Sequence, residues 1–392
     1  MTGRVTSPEP GAPAEARADV IVIGAGIVGA ACAWRLAERG LDVLVVEREA
    51  APAAGSTGRS AAGVRHQFSE PVNVRLSAAS IAEYRQMPEA SFRPVGYLFY
   101  VPEALWEAQM RDVAMQRELG APVEVLDLVQ AGRFVPASPE GLRGATWCAA
   151  DGIVDPHGIC MAFVARARAL GVRMRFGEAV IAIDRARGRW EVATGSGRFA
   201  APMIVNAAGA WAGEVGALAG LQVPVRPARR MVYATGPLDD SLRRPLPYPL
   251  TVDLSTGLWF RSEGERLIFG LANEADTGFT EGVDWAWLET VYEAAQPRFP
   301  WFERLAIDRR ASWWGYYEVT PDHNPVLGRM PGADGWINAC GFSGHGVQQA
   351  AATGRLIAQE AAGELPSIDI DPLRIERFAD GGSGTHGERL VV

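Results

Sequence analysis

Three glycines and an acid near the start of the chain have the spacing of a dinucleotide-binding site. Gly24, Gly26 and Gly29 form a GxGxxG pattern, and Glu47 follows about 20 residues later, as in known sites of this type. The first glycine permits a tight turn, the second lets the backbone approach a pyrophosphate, and the third lets helix and strand pack closely. The pyrophosphate binds free N–H groups at a helix N-terminus, and the acid accepts hydrogen bonds from a ribose.

Two strands and one helix have to hold these residues. Residues 18–23 are rich in Val and Ile, which predicts a buried parallel strand. Residues 27–39 predict a helix whose first turn contains Ile27 and Val28, both candidates for cofactor contact. Residues 41–46 predict a second strand that ends at the acid. A carboxylate there would repel a 2′-phosphate, so NADP is disfavoured and FAD or NAD remains.

A second glycine-rich segment follows at residues 55–63. Small polar segments of this kind can place backbone donors along a phosphate or a flat ring. A flexible surface loop is the alternative, but the position just after the acid favours cofactor contact. The candidate residues in this part of the chain are Arg48, Ser56, Thr57, Arg59, Ser60 and Ala61.

Two later segments have a similar character. Residues 199–210 contain a predicted buried strand that ends in small residues, so Ala207 and Gly209 are candidates to lie along a cofactor, with plain packing as the alternative. Residues 341–346 form a second glycine-rich turn before a predicted helix at 347–362. Two such turns suggest one cofactor held from two sides. The candidates in the second turn are Gly344, His345, Gly346, Val347 and Gln348.

Length and composition limit the possible classes of protein. The chain has 392 residues, of which 48% are hydrophobic, and this suits about two domains. The net charge of −8 with no basic block argues against nucleic acid as a partner, and no apolar stretch has the length of a membrane span. The four cysteines are scattered, without metal-ligand spacing or a disulfide framework. We therefore expect no metal, and a cytoplasmic location.

Both ends of the chain are predicted to lie outside the folded domains. Residues 1–17 contain Pro, Glu, Gly and Ala without an apolar core, which indicates a disordered leader rather than a signal peptide. Residues 371–392 are Gly-rich and polar, so a loose tail is expected there.

Five sequence motifs together resemble one family of flavoproteins. They are DVIVIGAGIVGAACAWRLAERG, STGRSAAGVRHQFS, VNAAGAWAGEVGALAG, YYEVTPDHNPVLG and GFSGHGVQQAAATGRLIA, and they lie in order from residue 19 to near residue 360. The chain resembles the D-amino-acid-oxidase-type family of FAD-dependent oxidoreductases. Members of that family include sarcosine oxidases, D-amino acid dehydrogenases and the β subunits of sarcosine oxidase and proline dehydrogenase complexes.

The resemblance implies an α/β fold with two domains. A Rossmann-like FAD-binding domain would be built from residues 18–90, 151–220 and 322–370. An α+β substrate domain with a mixed sheet would be inserted as residues 91–150 and 221–321. By resemblance the glycines and Glu47 hold the ADP half of FAD, Val180 contacts the adenine, and residues 56–60 line the pyrophosphate and the ring. Residues 344–347 then lie at the pyrimidine edge of the flavin, where a helix N-terminus stabilises the anionic reduced form.

The chain departs from the family pattern at informative positions. Relatives that attach FAD covalently use a histidine where this chain has Arg59 or a cysteine where it has Gly315, so non-covalent FAD is expected. Sarcosine-oxidase-like members bind the substrate carboxylate with an arginine, kept here as Arg65, and a lysine, replaced here by Gln348. The lysine that activates oxygen in those oxidases aligns near Ile268. D-amino acid members carry a carboxylate-binding arginine near Tyr317, and this chain lacks it.

The resemblance implies oxidation of an amino acid or N-substituted amino acid. The Cα–H of the neutral amine would leave as hydride to flavin N5, giving an imine that water hydrolyses. Arg65 is the candidate for binding the substrate carboxylate, although pairing with a nearby acid such as Glu70, or exposure to water, is also open. Tyr316, Tyr317 and Gln348 are candidates for the pocket wall, and His345 completes the set of predicted catalytic residues.

Two other functions stay open. A flavin-dependent 2-hydroxy acid dehydrogenase would need a base for the hydroxyl proton, and His66 or His345 would have to serve. Alternatively the chain is an FAD-bearing subunit that passes electrons within a larger complex. The expected partners are a small amine or amino acid substrate, an electron acceptor (oxygen, a quinone or a protein) and, for a chain that works within a complex, a partner subunit.

Overall fold

Two large β-sheets organise the chain. The structure is a computed structural model that describes residues 16–243, 247–379 and 387–391. The helices in these ranges are α1 (Ile27–Ala37), α2 (Pro71–Tyr84), α3 (Trp106–Glu118), α4 (Leu128–Phe134), α5 (Pro156–Ala169), α6 (Ala212–Leu218), α7 (Trp287–Ala295) and α8 (Gly346–Ala362). None of the helices in the described part of the chain combines the length and the apolar character that crossing a bilayer requires.

The strands are short and spread along the chain. They are β1 (Ala16–Arg17), β2 (Val20–Ile23), β3 (Val43–Val46), β4 (Gly63–Val64), β5 (Tyr97–Pro102), β6 (Glu124–Leu126), β7 (Leu142–Cys148), β8 (Gly152–Ile153), β9 (Arg173–Arg175), β10 (Ala182–Ala186), β11 (Arg189–Ala193), β12 (Arg198–Ala201), β13 (Met203–Asn206), β14 (Arg226–Ala234), β15 (Leu250–Asp253), β16 (Leu258–Glu263), β17 (Arg266–Gly270), β18 (Trp313–Val319), β19 (Val326–Arg329) and β20 (Trp336–Cys340).

The first sheet carries the predicted dinucleotide-binding pattern. Its six strands have the order β19-β20-β13-β2-β3-β9, and all neighbours are parallel except β19 and β20. Apolar side chains of α1, α2, α5 and α8 cover one face of it. A four-stranded sheet of order β1-β12-β11-β10 contributes to a second core on the other face. Strands β2 and β3 are fully buried, as their Val- and Ile-rich runs predict.

The second sheet has eight strands of order β18-β14-β17-β16-β15-β5-β7-β6. It is mixed, because β15 pairs with β5 in parallel while its other pairings are antiparallel. An aromatic-rich core with α4 and α7 covers one face, and a smaller apolar cluster lies on the other. The segments of this sheet fall within residues 91–150 and 221–321, and those of the six-stranded sheet fall outside them. The fold is therefore the α/β architecture with a mixed-sheet insertion that the sequence predicted.

The expectation of a loose tail from residue 371 is wrong for the described part of that tail. Residues Asp371–Leu373 and Ile375–Phe378 form short 3₁₀ helices, with Leu373 and Ile375 buried. Farther on, Glu388 and Leu390 are also buried. The polar composition of the tail led to the wrong prediction. Polar residues can be buried when they are hydrogen-bonded, and composition alone does not show whether such partners exist. Of the predicted disordered leader at residues 1–17, only Ala16 and Arg17 are described, and the prediction is wrong for them because they form β1, which pairs with β12. Residues 1–15 lie outside the described residues.

Candidate active site

One elongated cavity of about 330 Å³ runs between the two large sheets. At one end it is lined by the carboxyl ends of β2 and β3, where ligands bind in open parallel sheets. At the other end its walls come from the eight-stranded sheet and the N-terminus of α8. The cavity thus connects the two glycine-rich turns that the sequence singled out.

The glycines of the first turn have distinct steric roles. Gly24 adopts φ +106°, and a Cβ on it would lie 2.4 Å from the carbonyl oxygen of Ala207. A Cβ on Gly29 would lie 2.1 Å from the carbonyl oxygen of Gly24, so this residue is needed for close packing of α1. Gly26 faces the cavity, where a Cβ would meet only the Thr57 hydroxyl, at 3.3 Å. Gly29 itself does not line the cavity, so the structure shows its packing role, and its contact with the cofactor stays a prediction.

The N-terminus of α1 and the acid after β3 meet at this end. Helix α1 begins without a side-chain cap on Gly26, and its Ile27 N–H donates to the Thr57 hydroxyl at 3.0 Å. The Glu47 carboxylate accepts hydrogen bonds from the N–H groups of Ala25 at 2.6 Å and Glu49 at 2.8 Å. Burial raises the pKa of Glu47, and these two hydrogen bonds oppose the rise. The carboxylate is held facing the cavity at the position where a ribose is expected.

The loop after β3 forms the side of the cavity. Ser56–Arg59 is a short 3₁₀ helix, and the Ser56 hydroxyl donates to the carbonyl of Tyr316 on β18 at 2.7 Å. The loop is therefore tied to the mixed sheet. A Cβ on Gly315 would lie 3.1 Å from the Arg59 side chain, so the two positions at which relatives attach FAD face each other here. Neither residue can form a covalent bond to a flavin.

The N-terminus of α8 forms the other end. Gly344 has φ +95°, and a Cβ there would lie 2.4 Å from the ring of Tyr317, so glycine permits close packing of that ring. His345 precedes α8 without a side-chain cap bond, and its Nδ1 atom has no hydrogen-bond partner among the residues that the structure describes. Burial, with the nearby positive charge of Arg65, holds the pKa of His345 well below its usual range. The ring is therefore neutral.

Arg65 is fully buried in the cavity wall. Its Nη2 donates to the carbonyl oxygen of Leu390 and lies 3.3 Å from His345 Nε2. Its backbone N–H donates to Gln348 Oε1 at 3.2 Å. Nε and Nη1 have no partner, and Arg65 forms no ion pair with any acid in the described ranges. The alternatives of exposure to water and of pairing with an acid there are thus excluded, and two buried nitrogens of the guanidinium lack a hydrogen-bond partner among the described residues.

Glu318 is a cavity residue that the sequence reading missed. It lies on β18 directly after Tyr317, and Glu318 Oε2 accepts from the Gly341 N–H at 2.7 Å. Burial raises the pKa of Glu318 to about 7, against hydrogen bonds from backbone N–H groups. The neighbouring sequence, YYEVTP, does not indicate that Glu318 faces a cavity, because an acid on a strand is equally consistent with exposure to solvent.

His66 lies beside the cavity wall but does not line it. The ring Nδ1 of His66 is 2.6 Å from Asp151 Oδ1, which also accepts from the His66 N–H at 2.8 Å. Together with Cys148 these residues form a compact group with metal-ligand atom types. Burial raises the pKa of the Cys148 thiol, with the Asp151 charge adding to the rise, so the sulfur is a protonated thiol. The hydrogen bonds between His66 and Asp151 explain why these side chains lie together without a metal ion. The expectation that the protein binds no metal stays a prediction.

The structure brings the remaining predicted residues together around one cavity. The predicted contact residues that line it are Gly24, Gly26, Ile27, Val28, Glu47, Arg48, Ser56, Thr57, Arg59, Ser60, Ala61, Val180, Ala207, Gly209, Gly344, His345, Gly346, Val347 and Gln348, with Arg65 and Tyr317 from the predicted catalytic set. Tyr316 also lines it, whereas Ile268 is buried in the adjacent apolar cluster and does not.

These residues fit FAD. Two helix N-termini lie at the cavity whose N-cap residues, Gly26 and His345, form no side-chain cap bond, and Gly26 has no Cβ to block a phosphate. The Glu47 carboxylate stands at the ribose position. The cavity lining extends from the carboxyl end of β2 to the N-terminus of α8, so both glycine-rich turns face the same cavity. The fold and the cavity define a dinucleotide-binding protein of the flavoprotein type.

Comparisons with known proteins give the family. The family model described as "FAD dependent oxidoreductase" (DAO) matches residues 19–360. The chain is 32% identical to the FAD-dependent oxidoreductase domain-containing protein 1 of Bos taurus, over 92% of this chain and 85% of that protein. Among solved structures it is similar to L-proline dehydrogenase from P. horikoshii, with a TM-score of 0.85, 28% identity and coverage of 93% and 99%.

Glycine oxidase from Geobacillus kaustophilus is also similar, with a TM-score of 0.78, 25% identity and coverage of 92% of this chain and 98% of that one. The chain belongs to the DAO family of FAD-dependent oxidoreductases. It is an oxidoreductase enzyme, and FAD is its cofactor.

Proposed function

We propose that the protein oxidises the C–N bond of an amino acid or an N-substituted amino acid. The observation that carries this proposal is Arg65, a fully buried guanidinium in the cavity wall whose Nε and Nη1 have no hydrogen-bond partner in the described part of the chain. Buried charges are normally paired, and a guanidinium matches a carboxylate with two parallel hydrogen bonds. The names of the two similar solved structures, a proline dehydrogenase and a glycine oxidase, support an amino acid substrate.

The surrounding residues hold Arg65 and close the pocket. Gln348 fixes its backbone through the hydrogen bond to the Arg65 N–H. The Tyr317 ring fills the space against Gly344, and burial raises the pKa of its phenol, so it stays protonated. Apolar side chains of the mixed sheet, among them Val232 and Leu250, line the same cavity and exclude water. These residues bind and orient the substrate.

FAD, when bound, supplies the hydride acceptor for the substrate Cα–H. The chain then has to present the substrate as a neutral amine, because an ammonium has no lone pair to assist loss of hydride. No general base is needed for that step. The neutral His345 beside Arg65 adds no second positive charge to the pocket.

Oxidation of a 2-hydroxy acid is supported less well. That reaction needs a base for the hydroxyl proton, but His66 does not line the cavity and its Nδ1 is engaged with Asp151. His345 does line it, yet its lowered pKa makes it a weak base. The role of an electron-passing subunit stays a second candidate, because the resemblance includes β subunits of such complexes.

The proposal is tested with the purified, FAD-loaded protein and an artificial dye as acceptor. Each amino acid in the panel is compared with its decarboxylated amine and with the matching 2-hydroxy acid. The proposal expects turnover of at least one amino acid, slower use of its amine and none of the hydroxy acid. Turnover of hydroxy acids alone would replace it. No turnover by the lone chain, restored by a partner protein, would favour the subunit role.

A further inference from the structure

Residues 387–391 lie against the candidate substrate site although no helix or strand includes them. Glu388 is 2% exposed and Leu390 is 6% exposed. The Glu388 N–H donates to the carbonyl oxygen of Asp322 at 3.0 Å, which joins the segment to the turn before β19. A short stretch of irregular chain stays buried only if its polar groups are satisfied.

The Glu388 carboxylate fixes this segment in place. It accepts hydrogen bonds from the Ser69 N–H at 2.9 Å, the Ser69 hydroxyl at 2.8 Å, Asn73 Nδ2 at 2.9 Å, the Leu390 N–H at 3.0 Å and the Glu70 N–H at 3.3 Å. These donors belong mostly to the start of α2 and the residues just before it, a few positions after Arg65. The carboxylate therefore ties the segment to the same part of the chain that carries the arginine.

Two more contacts connect the segment to its surroundings. Arg389 Nη2 lies 2.7 and 2.8 Å from the two carboxylate oxygens of Asp112 on α3. The Leu390 side chain packs in the apolar cluster that includes Val232, Leu250 and Trp259, all of which line the cavity. The segment thus seals the cavity wall on the side of the mixed sheet.

The contact with Arg65 is the one that bears on function. The Leu390 carbonyl accepts from Arg65 Nη2, while Nε and Nη1 stay unpartnered. Arg65 lines the cavity and Leu390 does not. The carbonyl therefore contacts the guanidinium from a residue outside the cavity lining, and it uses Nη2 alone.

We infer that residues 387–391 are a positioning element of the substrate site, which holds Arg65 so that its Nε and Nη1 face the substrate carboxylate. This inference rests on the proposed function. A guanidinium on a flexible side chain loses conformational entropy when it binds a carboxylate. A guanidinium that is already fixed loses less entropy on binding, so it binds the carboxylate more tightly. The segment would accordingly lower KM for carboxylate substrates more than it raises kcat.

The test compares the FAD-loaded full-length protein with Glu388→Ala, and with Glu376→Ala as a matched control on an exposed acid of the same region. In Glu388→Ala, KM for the amino acid should rise about ten- to a hundredfold, since displacing a positioning contact by ~1 Å has effects of that size. The KM for the decarboxylated amine should not change. The Kd of acetate, measured from the change in flavin absorbance, should rise by a similar factor.

Other outcomes overturn the inference. A lower KM for the amino acid would mean that the Leu390 carbonyl competes with the substrate and the segment is inhibitory. Equal KM values in Glu388→Ala and wild type would mean that the segment has no role at the site. If Glu388→Ala fails to fold, Arg389→Ala carries the test, because it removes only the bond to Asp112; unchanged acetate affinity there would also overturn the inference.

Failure of the proposed function would be seen separately. In that case the wild-type protein would already use acid and amine equally well, whatever residue 388 is. If wild type prefers the acid and both variants keep that preference, the proposed function stands and the positioning role is wrong.

Discussion

Substitution of Arg65 gives the sharpest prediction, because its guanidinium is fully buried and forms no ion pair with the described residues. On the proposed function, a substrate carboxylate would pair with this guanidinium and would itself be desolvated. Removal of the guanidinium would leave the carboxylate buried and unpaired, which costs roughly 3–5 kcal/mol. About 1.4 kcal/mol is tenfold in rate, so Arg65→Ala should lower kcat/KM for the amino acid by about a hundredfold or more. Arg65→Lys should recover only part, because a point charge does not reproduce the planar fork.

The assay measures dye reduction by wild type and each variant, with an amino acid and with its decarboxylated amine. Arg65→Ala should hardly change the rate with the amine, because the amine has no carboxylate that could pair with Arg65. Arg75→Ala, on the exposed face of α2, is the matched arginine control. If Arg65→Ala slows acid and amine equally while FAD stays bound, Arg65 shapes the flavin site and the assignment is wrong.

Four further predictions follow from other residues of the cavity. Acid precipitation of the yellow protein should release free FAD, since Arg59 and Gly315 offer no attachment point; flavin retained on the denatured chain would contradict this. Oxygen should be a poor acceptor, because the chain contains no lysine and so lacks the residue that activates oxygen in sarcosine-oxidase-like relatives; peroxide formed in air as fast as dye is reduced would refute it. The value of kcat/KM should rise with pH as the substrate amine loses its proton, and the pH of this rise should follow the amine pKa across a series of substrates. A rise at the same pH for all substrates would indicate an enzyme base instead. Burial raises the pKa of Glu318 from 4.5 to about 7, so its stabilising effect is complete below pH 4.5 and is lost as pH rises through about 7. The free energy of unfolding should fall by roughly 3 kcal/mol over that window, and chemical denaturation of Glu318→Gln should show a flatter pH dependence than wild type.

The sequence predicted the parts of the fold that depend on local spacing. The GxGxxG pattern between two apolar runs determines a strand, a turn and a helix, because the steric needs of Gly24 and Gly29 are met within a few residues. The second turn, at residues 341–346, is local in the same way. The resemblance to a family extended this to the mixed sheet, whose strands are too short and too scattered to be placed by periodicity alone.

The sequence could not predict contacts between distant parts of the chain. Glu388 finds its partner Ser69 at a separation of 319 residues, and nothing near either residue signals the pair. Its surroundings are rich in glycine and polar residues, which favours a loose tail. Glu318 is similar, because its raised pKa depends on burial by elements from several parts of the chain. Such residues are found only once the packing is known.

The electrostatics of the pocket connect substrate binding to the chemistry. Arg65 is a permanent positive charge in a water-poor site, and the neighbouring His345 stays neutral because burial and that same charge hold its pKa down. A substrate carboxylate would neutralise Arg65, but a substrate ammonium would add a second buried positive charge without a partner of its own. Burial, which is the main cause of the lowered pKa of His345, therefore also disfavours the ammonium and favours release of its proton. An amino acid bound by Arg65 would in this way be held in the neutral-amine form from which hydride can leave, and its pH limb in the bound complex should lie below the pKa of the free amine.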